Sequence, residues 1–152
     1  MRNLKIFNID ENPLVSPPKD VLKQGMHTIL DYLRRIFESR RTCRLELNGY
    51  HLTELPVEVC NLTYLTDLQL VNNEISGLPP DVMKLGQLLD LNLEDNHLEI
   101  VPAEFGSCTA LTRLSLSFNR WNLALVSVCL SVCLSVYLSV CQGGLSSGAA
   151  LR

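Results

Sequence analysis

The sequence predicts an α/β solenoid with parallel strands on its concave face, one helix inserted near the N-terminus and an irregular C-terminal tail. Three observations predict it. Leu45, Leu68, Leu91 and Leu114 lie 23 residues apart, and so do Leu47, Leu70, Leu93 and Leu116; a fixed period of this size marks units that each bury an apolar edge against the next. Within every unit the two leucines have period two, so they point inward from a short strand while the residues between them point outward. Asn73, Asn96 and Asn119 share one column, where a side-chain amide can satisfy the backbone groups of a tight turn.

The first element is partial. Phe7, Ile9, Asn12, Leu14 and Pro17 reproduce the second half of a unit, so residues 1–18 read as the tail of an earlier repeat and the chain as starting inside an array. From Phe7 to Leu45 is 38 residues, more than one period, which marks an insertion. Residues 19–41 fill it as a helical spacer or internal cap. Leu22, Met26, Ile29, Leu33 and Ile36 fall at helical spacing and define its expected buried stripe. Pro17 and Pro18 precede the first turn, Asp20 sits near its positive end, and Arg34, Arg35, Arg40 and Arg41 lie toward the negative end. Those arginines invite an RNA or phosphate reading, but dipole complementarity and a solvated linker explain them more simply, since few aromatics accompany them.

Residues 42–121 carry the 23-residue units. Residues 68–79 (LQLVNNEISGLP) and 91–102 (LNLEDNHLEIVP) fit L-x-L-x-x-N-x-L-x-x-L-P in full or nearly so. Residues 45–56 (LELNGYHLTELP) place Tyr50 in the Asn column, and 114–119 (LSLSFN) begin a further copy. Tyr50 has no amide, so an irregular or wet turn is expected there. After each Pro, Val59, Leu62 and Leu65, then Val82, Leu85 and Leu88, then Phe105, Cys108 and Leu111 are expected to close the convex side of the core.

These units resemble leucine-rich repeats, in particular those of intracellular Ras-suppressor and Scribble-like proteins, which carry L-P-x-E/D followed by an apolar residue. Here that motif is Leu55-Pro56-Val57-Glu58-Val59, Leu78-Pro79-Pro80-Asp81-Val82 and Val101-Pro102-Ala103-Glu104-Phe105. The stretch NPLVSPPKDVLKQGMHTILDYL also resembles the element that ends the repeat array in Roco-type proteins. The resemblance implies the fold and a habit of binding proteins. It names no partner.

Beyond Trp121 the period fails. Residues 122–152 read as a low-complexity tail, in which VSVC-LSVC-LSVY-LSVC runs from Val126 to Cys141. The nucleotide unit CTGT, read in frame, encodes Leu-Ser-Val-Cys, and both departures from the word need one base change each. A translated microsatellite is the leading expectation for this stretch. The competing expectation is a membrane segment over 123–141, because those residues carry no charge and are long enough to span a bilayer. An amphipathic strand is also compatible with the word.

Composition narrows the function. A net charge of -3 over 152 residues gives no drive toward nucleic acid or anionic membrane. No phosphate-binding loop, dinucleotide fingerprint, zinc-protease motif or C-x-x-C pair occurs, so no cofactor or metal is expected. His51 and His97 occupy one column two repeats apart, roughly 10 Å, too far to share one zinc. The opening residues lack a long apolar run, so no signal peptide is expected; the scattered cysteines then read as reduced residues of a cytoplasmic protein, and the Asn61-Leu62-Thr63 sequon as unused.

What remains is the outward strand face. Arg44, Glu46, Asp67, Gln69, Asp90, Asn92, Glu94, Asp95 and Arg113 form an acidic stripe edged by two arginines, although ordinary solvated polarity explains any one of them. As a set they are the expected contact surface for a protein partner with a basic surface, since solenoids bind on extended concave faces. The expected function is a non-enzymatic intracellular interaction scaffold in a signalling setting. Two other readings stay open: a repeat segment of a larger Roco-type signalling enzyme, and a repeat protein anchored in a membrane through 123–141.

Overall fold

A computed structural model describes residues 16–99 and 110–120, together with the backbone of residues 137–138. The strands β1 (Arg44–Glu46), β2 (Asp67–Gln69), β3 (Asp90–Asn92), β4 (Arg113–Ser115) and β5 (Tyr137–Leu138) form one parallel sheet in chain order. From β1 to β4 the register is the sequence period itself: Arg44 pairs with Asp67, Asp67 with Asp90 and Asp90 with Arg113. The tail continues the sheet with a different step, since β5 sets Tyr137 against Arg113, 24 residues away.

The backbone repeats its bonds as well as its strands. Leu47 N–H donates to Gln69 O (2.8 Å), Leu70 to Asn92 O (2.8 Å) and Leu93 to Ser115 O (2.9 Å), extending each pairing past the strand proper. A second ladder runs on the other side of the strands, from Thr66 N–H to Cys43 O, Leu89 to Thr66 O and Thr112 to Leu89 O. A third joins the turns, from Glu74 N–H to Leu52 O, His97 to Ile75 O and Arg120 to Leu98 O. Short parallel strands would be poorly held alone; these flanking ladders satisfy the backbone where the strand ends.

The inward leucines are buried throughout β1 to β4, from Leu45 and Leu47 to Leu114 and Leu116. Helices α1 (Lys19–Leu22) and α2 (Met26–Thr42) precede the repeats; within them the chain turns after Leu-Pro into a short convex element, α3 (Val57–Cys60) after Pro56 and a 3-10 turn (Pro80–Lys84) after Pro79. Both prolines hold extended backbone at the N-cap, their fixed φ suiting the position just before a helical turn. Val59, Leu65, Val82, Leu85, Leu88 and Leu111 close the core there, with Leu62 half-buried against it. Phe105, Cys108, the third Pro-x-Glu motif, the half-repeat at Phe7–Leu14 and most of the low-complexity tail lie outside the described residues.

Each column asparagine performs the same four-bond task. Asn73 Nδ2 donates to Leu47 O and Leu70 O at 2.9 Å and to Val71 O at 3.3 Å, while its Oδ1 accepts from Leu52 N–H. Asn96 repeats this with Leu70, Leu93, Glu94 and Ile75, and Asn119 with Leu93, Leu116, Ser117 and Leu98. One side chain thereby ties its own turn to the preceding repeat. The turn residue just before each asparagine lies in the left-handed region: Asn72 at φ 56°, Asp95 at 55° and Phe118 at 56°, with Gly49 at 70° in the first unit.

The inserted segment is two helices, α1 (Lys19–Leu22) and α2 (Met26–Thr42), separated at Gly25, whose φ of 89° suits a residue without Cβ. Helix α2 packs on β1 and covers this end of the repeat core through Ile29, Tyr32, Ile36 and Ser39. Leu33 departs from the expected stripe. It is 43% exposed, and Tyr32 takes the buried place instead. At Tyr50 the turn is irregular, as expected: His51 at φ 52° adds a second left-handed residue after Gly49, which no later unit repeats among the described residues. The ring is buried, meets Tyr32 edge-on with centroids 5.9 Å apart, and lies under the Arg35 guanidinium at 5.9 Å. Its hydroxyl donates to Asp31 on α2, and its carbonyl accepts from Gln24. Helix α2 thus meets the tyrosine that stands in the asparagine column.

Candidate functional site

All nine expected contact residues lie on or beside one face. Arg44, Glu46, Asp67, Gln69, Asp90, Asn92 and Arg113 occupy alternate strand positions around buried leucines, so all seven stand on the side away from the core. Glu94 and Asp95 follow β3 at the rim, Glu94 half-buried and Asp95 exposed. The register arranges them in columns one strand spacing apart: Arg44, Asp67, Asp90 and Arg113 in one, Glu46, Gln69, Asn92 and Ser115 in the next.

The charges within those columns are largely met internally. Arg44 contacts Glu46 at 2.9 Å and Asp67 at 3.3 Å. Arg113 pairs with Asp90 at 2.8 Å. Glu46 also lies 3.8 Å from Arg35 of α2, whose guanidinium donates to the Glu46 carbonyl. Gln69 donates to the second oxygen of Asp67 at 2.7 Å. The arginines that edge the stripe therefore also neutralise part of it. Among the described residues only Glu94 and Asp95, of its five carboxylates, have no ion pair.

The histidines of the neighbouring column serve the turns. His51 lies 3.1 Å from Glu74 and is largely exposed, and the His97 N–H belongs to the turn ladder. Among the described residues no group of three or more His, Cys, Asp or Glu side chains is placed to hold a metal ion, and no helix is long and apolar enough to cross a membrane. Cys60 is fully buried, and burial pushes its thiol up to about 11; such a thiol is a packing group, not a nucleophile.

Sequence reasoning missed the cluster that joins α2 to the first repeat. Tyr32 donates to Glu58 Oε1 at 3.0 Å, and burial with the neighbouring Glu58 charge drives its phenol far above the ordinary value. Asp31 accepts from Tyr50 and Arg35, which hold its carboxyl below the usual carboxylate range. Ser39, fully buried, shares a 3.0 Å hydrogen bond with Tyr64. The only sequence signal for any of this was the tyrosine in an asparagine column.

Known proteins bear on the arrangement in two ways. The family pattern described as a leucine-rich repeat region matches residues 20–127. A solved leucine-rich repeat protein of Leptospira interrogans is 29% identical with a TM-score of 0.60, over 63% of this chain and 24% of that one. The chain thus spans about a quarter of that protein's length. No curated protein matches the chain. With a 23-residue register, an asparagine ladder and a family match across more than half its length, the chain belongs to the leucine-rich repeat proteins.

Proposed function

We propose that the chain is a non-enzymatic protein-interaction module of the cell interior, acting in a signalling assembly and taking its partner on the concave strand face. The carrying observation is the strand register, which holds polar outward side chains at fixed spacing across four strands. Repeat proteins commonly use such an extended face for binding.

The partner presents basic side chains. Glu94 and Asp95 are its first contacts, since they have no ion pair among the described residues, whereas Asp67 and Asp90 must exchange an internal arginine for an external one. Gln69 and Asn92, between them, supply hydrogen-bonding groups without charge.

Selection of peptides from a displayed library against the purified chain tests this. Selected peptides should be rich in Lys and Arg, bind more weakly as salt rises, and lose affinity with Glu94→Lys/Asp95→Lys more than with Asp67→Lys/Asp90→Lys. Neutral or acidic selected peptides, or binding indifferent to both double variants, would remove the concave face from the assignment.

A further inference from the structure

Helix α2 carries two apolar stripes. Ile29, Tyr32 and Ile36 face the repeats, whereas Leu30, Leu33 and Phe37 are 50, 43 and 73% exposed. These three follow one another at i, i+3 and i+7 and so stand in one row along the helix. The other exposed large apolar side chains among the described residues, such as Val57 and Met83, belong to separate elements. Scattered apolar residues need no account, but a contiguous row on a folded surface marks a contact. A groove lined by Phe37, Glu38, Arg40 and Arg41 continues the row toward the helix C-terminus. Arg34 and Arg35 are paired with Glu38 and Asp31; Arg40 and Arg41 have no ion pair among the described residues.

We propose that this row is the seat of residues 4–15 of the same chain. That stretch carries Phe7, Ile9 and Leu14 at the inward positions of a repeat, apolar side chains that gain by leaving water. It joins the described chain at Ser16, next to the buried Pro17, and leads directly into α1, which packs on α2. Twelve extended residues reach about 40 Å, while the 17 residues of α2 span about 26 Å, so the whole row is within reach. Asp10 and Glu11 of the same stretch complement Arg40 and Arg41. Two such rows packed symmetrically would have no such match, because Asp31 and Glu38 on α2 are already paired. The tether also makes the intramolecular contact the favoured one. Helix α2 is then a two-sided spacer, with downstream repeats on one stripe and the preceding half-repeat on the other. This does not depend on what binds the concave face.

The test uses the full chain with photoreactive benzoylphenylalanine in place of Phe37. Irradiation followed by peptide mapping should join position 37 to residues 4–15 within a monomer. Cross-links to a second chain, or none to protein, overturn the proposal. In a separate Phe37→Asp variant, amide exchange of residues 4–15 should rise about tenfold or more while residues 45–98 keep their protection. Unchanged exchange at 4–15 in a folded variant overturns it equally.

Discussion

The Tyr50 hydroxyl donates to the Asp31 carboxylate, and this bond fastens the first described turn to the middle of α2. Arg35 reinforces it from both sides, bonding Asp31 at 2.8 Å and lying over the Tyr50 ring. Removing the hydroxyl with Tyr50→Phe should cost about 1 kcal/mol of unfolding free energy. In a double-mutant cycle with Asp31→Asn the two changes should fall short of additive, measured by urea denaturation. Strict additivity would show that the bond contributes nothing.

The same pair sets an acid dependence. Tyr50 and Arg35 hold Asp31 below the usual carboxylate range, and at Asp20 desolvation pushes upward but is outweighed by hydrogen bonds from Thr53 and the charge of Lys23. Both carboxyls therefore bind protons more weakly when folded than unfolded. Their contribution is present above the unfolded value and is lost as pH falls through the lower folded one. Urea midpoints should drop on acidification below about pH 4, and less steeply in Asp31→Asn. Parallel profiles for the two proteins would count against the assignment.

Asn96 is buried and makes four hydrogen bonds spanning two repeats. Asn96→Ala should destabilise by about 2 to 3 kcal/mol, because Ile75 N–H and the shared carbonyls lose their partner in a dry interior. A urea transition shifted by less than a quarter of that would mean water replaces the amide.

Phe118 holds φ at 56° while its side chain is 59% exposed. Its column mates are Gly49, Asn72 and Asp95, residues that tolerate the left-handed region far better than an aromatic does. Phe118→Asn should therefore raise stability by about 1 kcal/mol. A lowered thermal midpoint would show instead that the ring has a packing role.

Cys60 should resist alkylation in the folded chain, since its thiol is inaccessible and pushed up to about 11. Cys43, half-buried after α2, should react before Cys60 when labelling is followed by peptide mapping. Equal rates at the two positions in native buffer would contradict the buried placement of Cys60.

The repeat architecture was legible because translation along a solenoid copies one environment many times. Leu45, Leu68, Leu91 and Leu114 meet the same neighbours, so their spacing alone carries the strand register, and the asparagine column carries the turn bonds. Cap geometry occurs once, so no periodic signal reports it. Leu33 and Tyr32 both fit a helical stripe within one turn of each other, and only the packing angle of α2 on β1 exposes the first and buries the second.

Charge was legible as composition but not as pairing. The sequence by itself determined the fold, the repeat register and which side chains share the concave face, because backbone periodicity dictates direction. Only the tertiary structure decided that Arg44 and Arg113 reach across strands to Asp67 and Asp90, leaving Glu94 and Asp95 outside those pairs. It likewise decided that a tyrosine in an asparagine's place would be met by a helix. Those outcomes depend on distances between repeats and on the docking of α2, which no spacing along one chain contains.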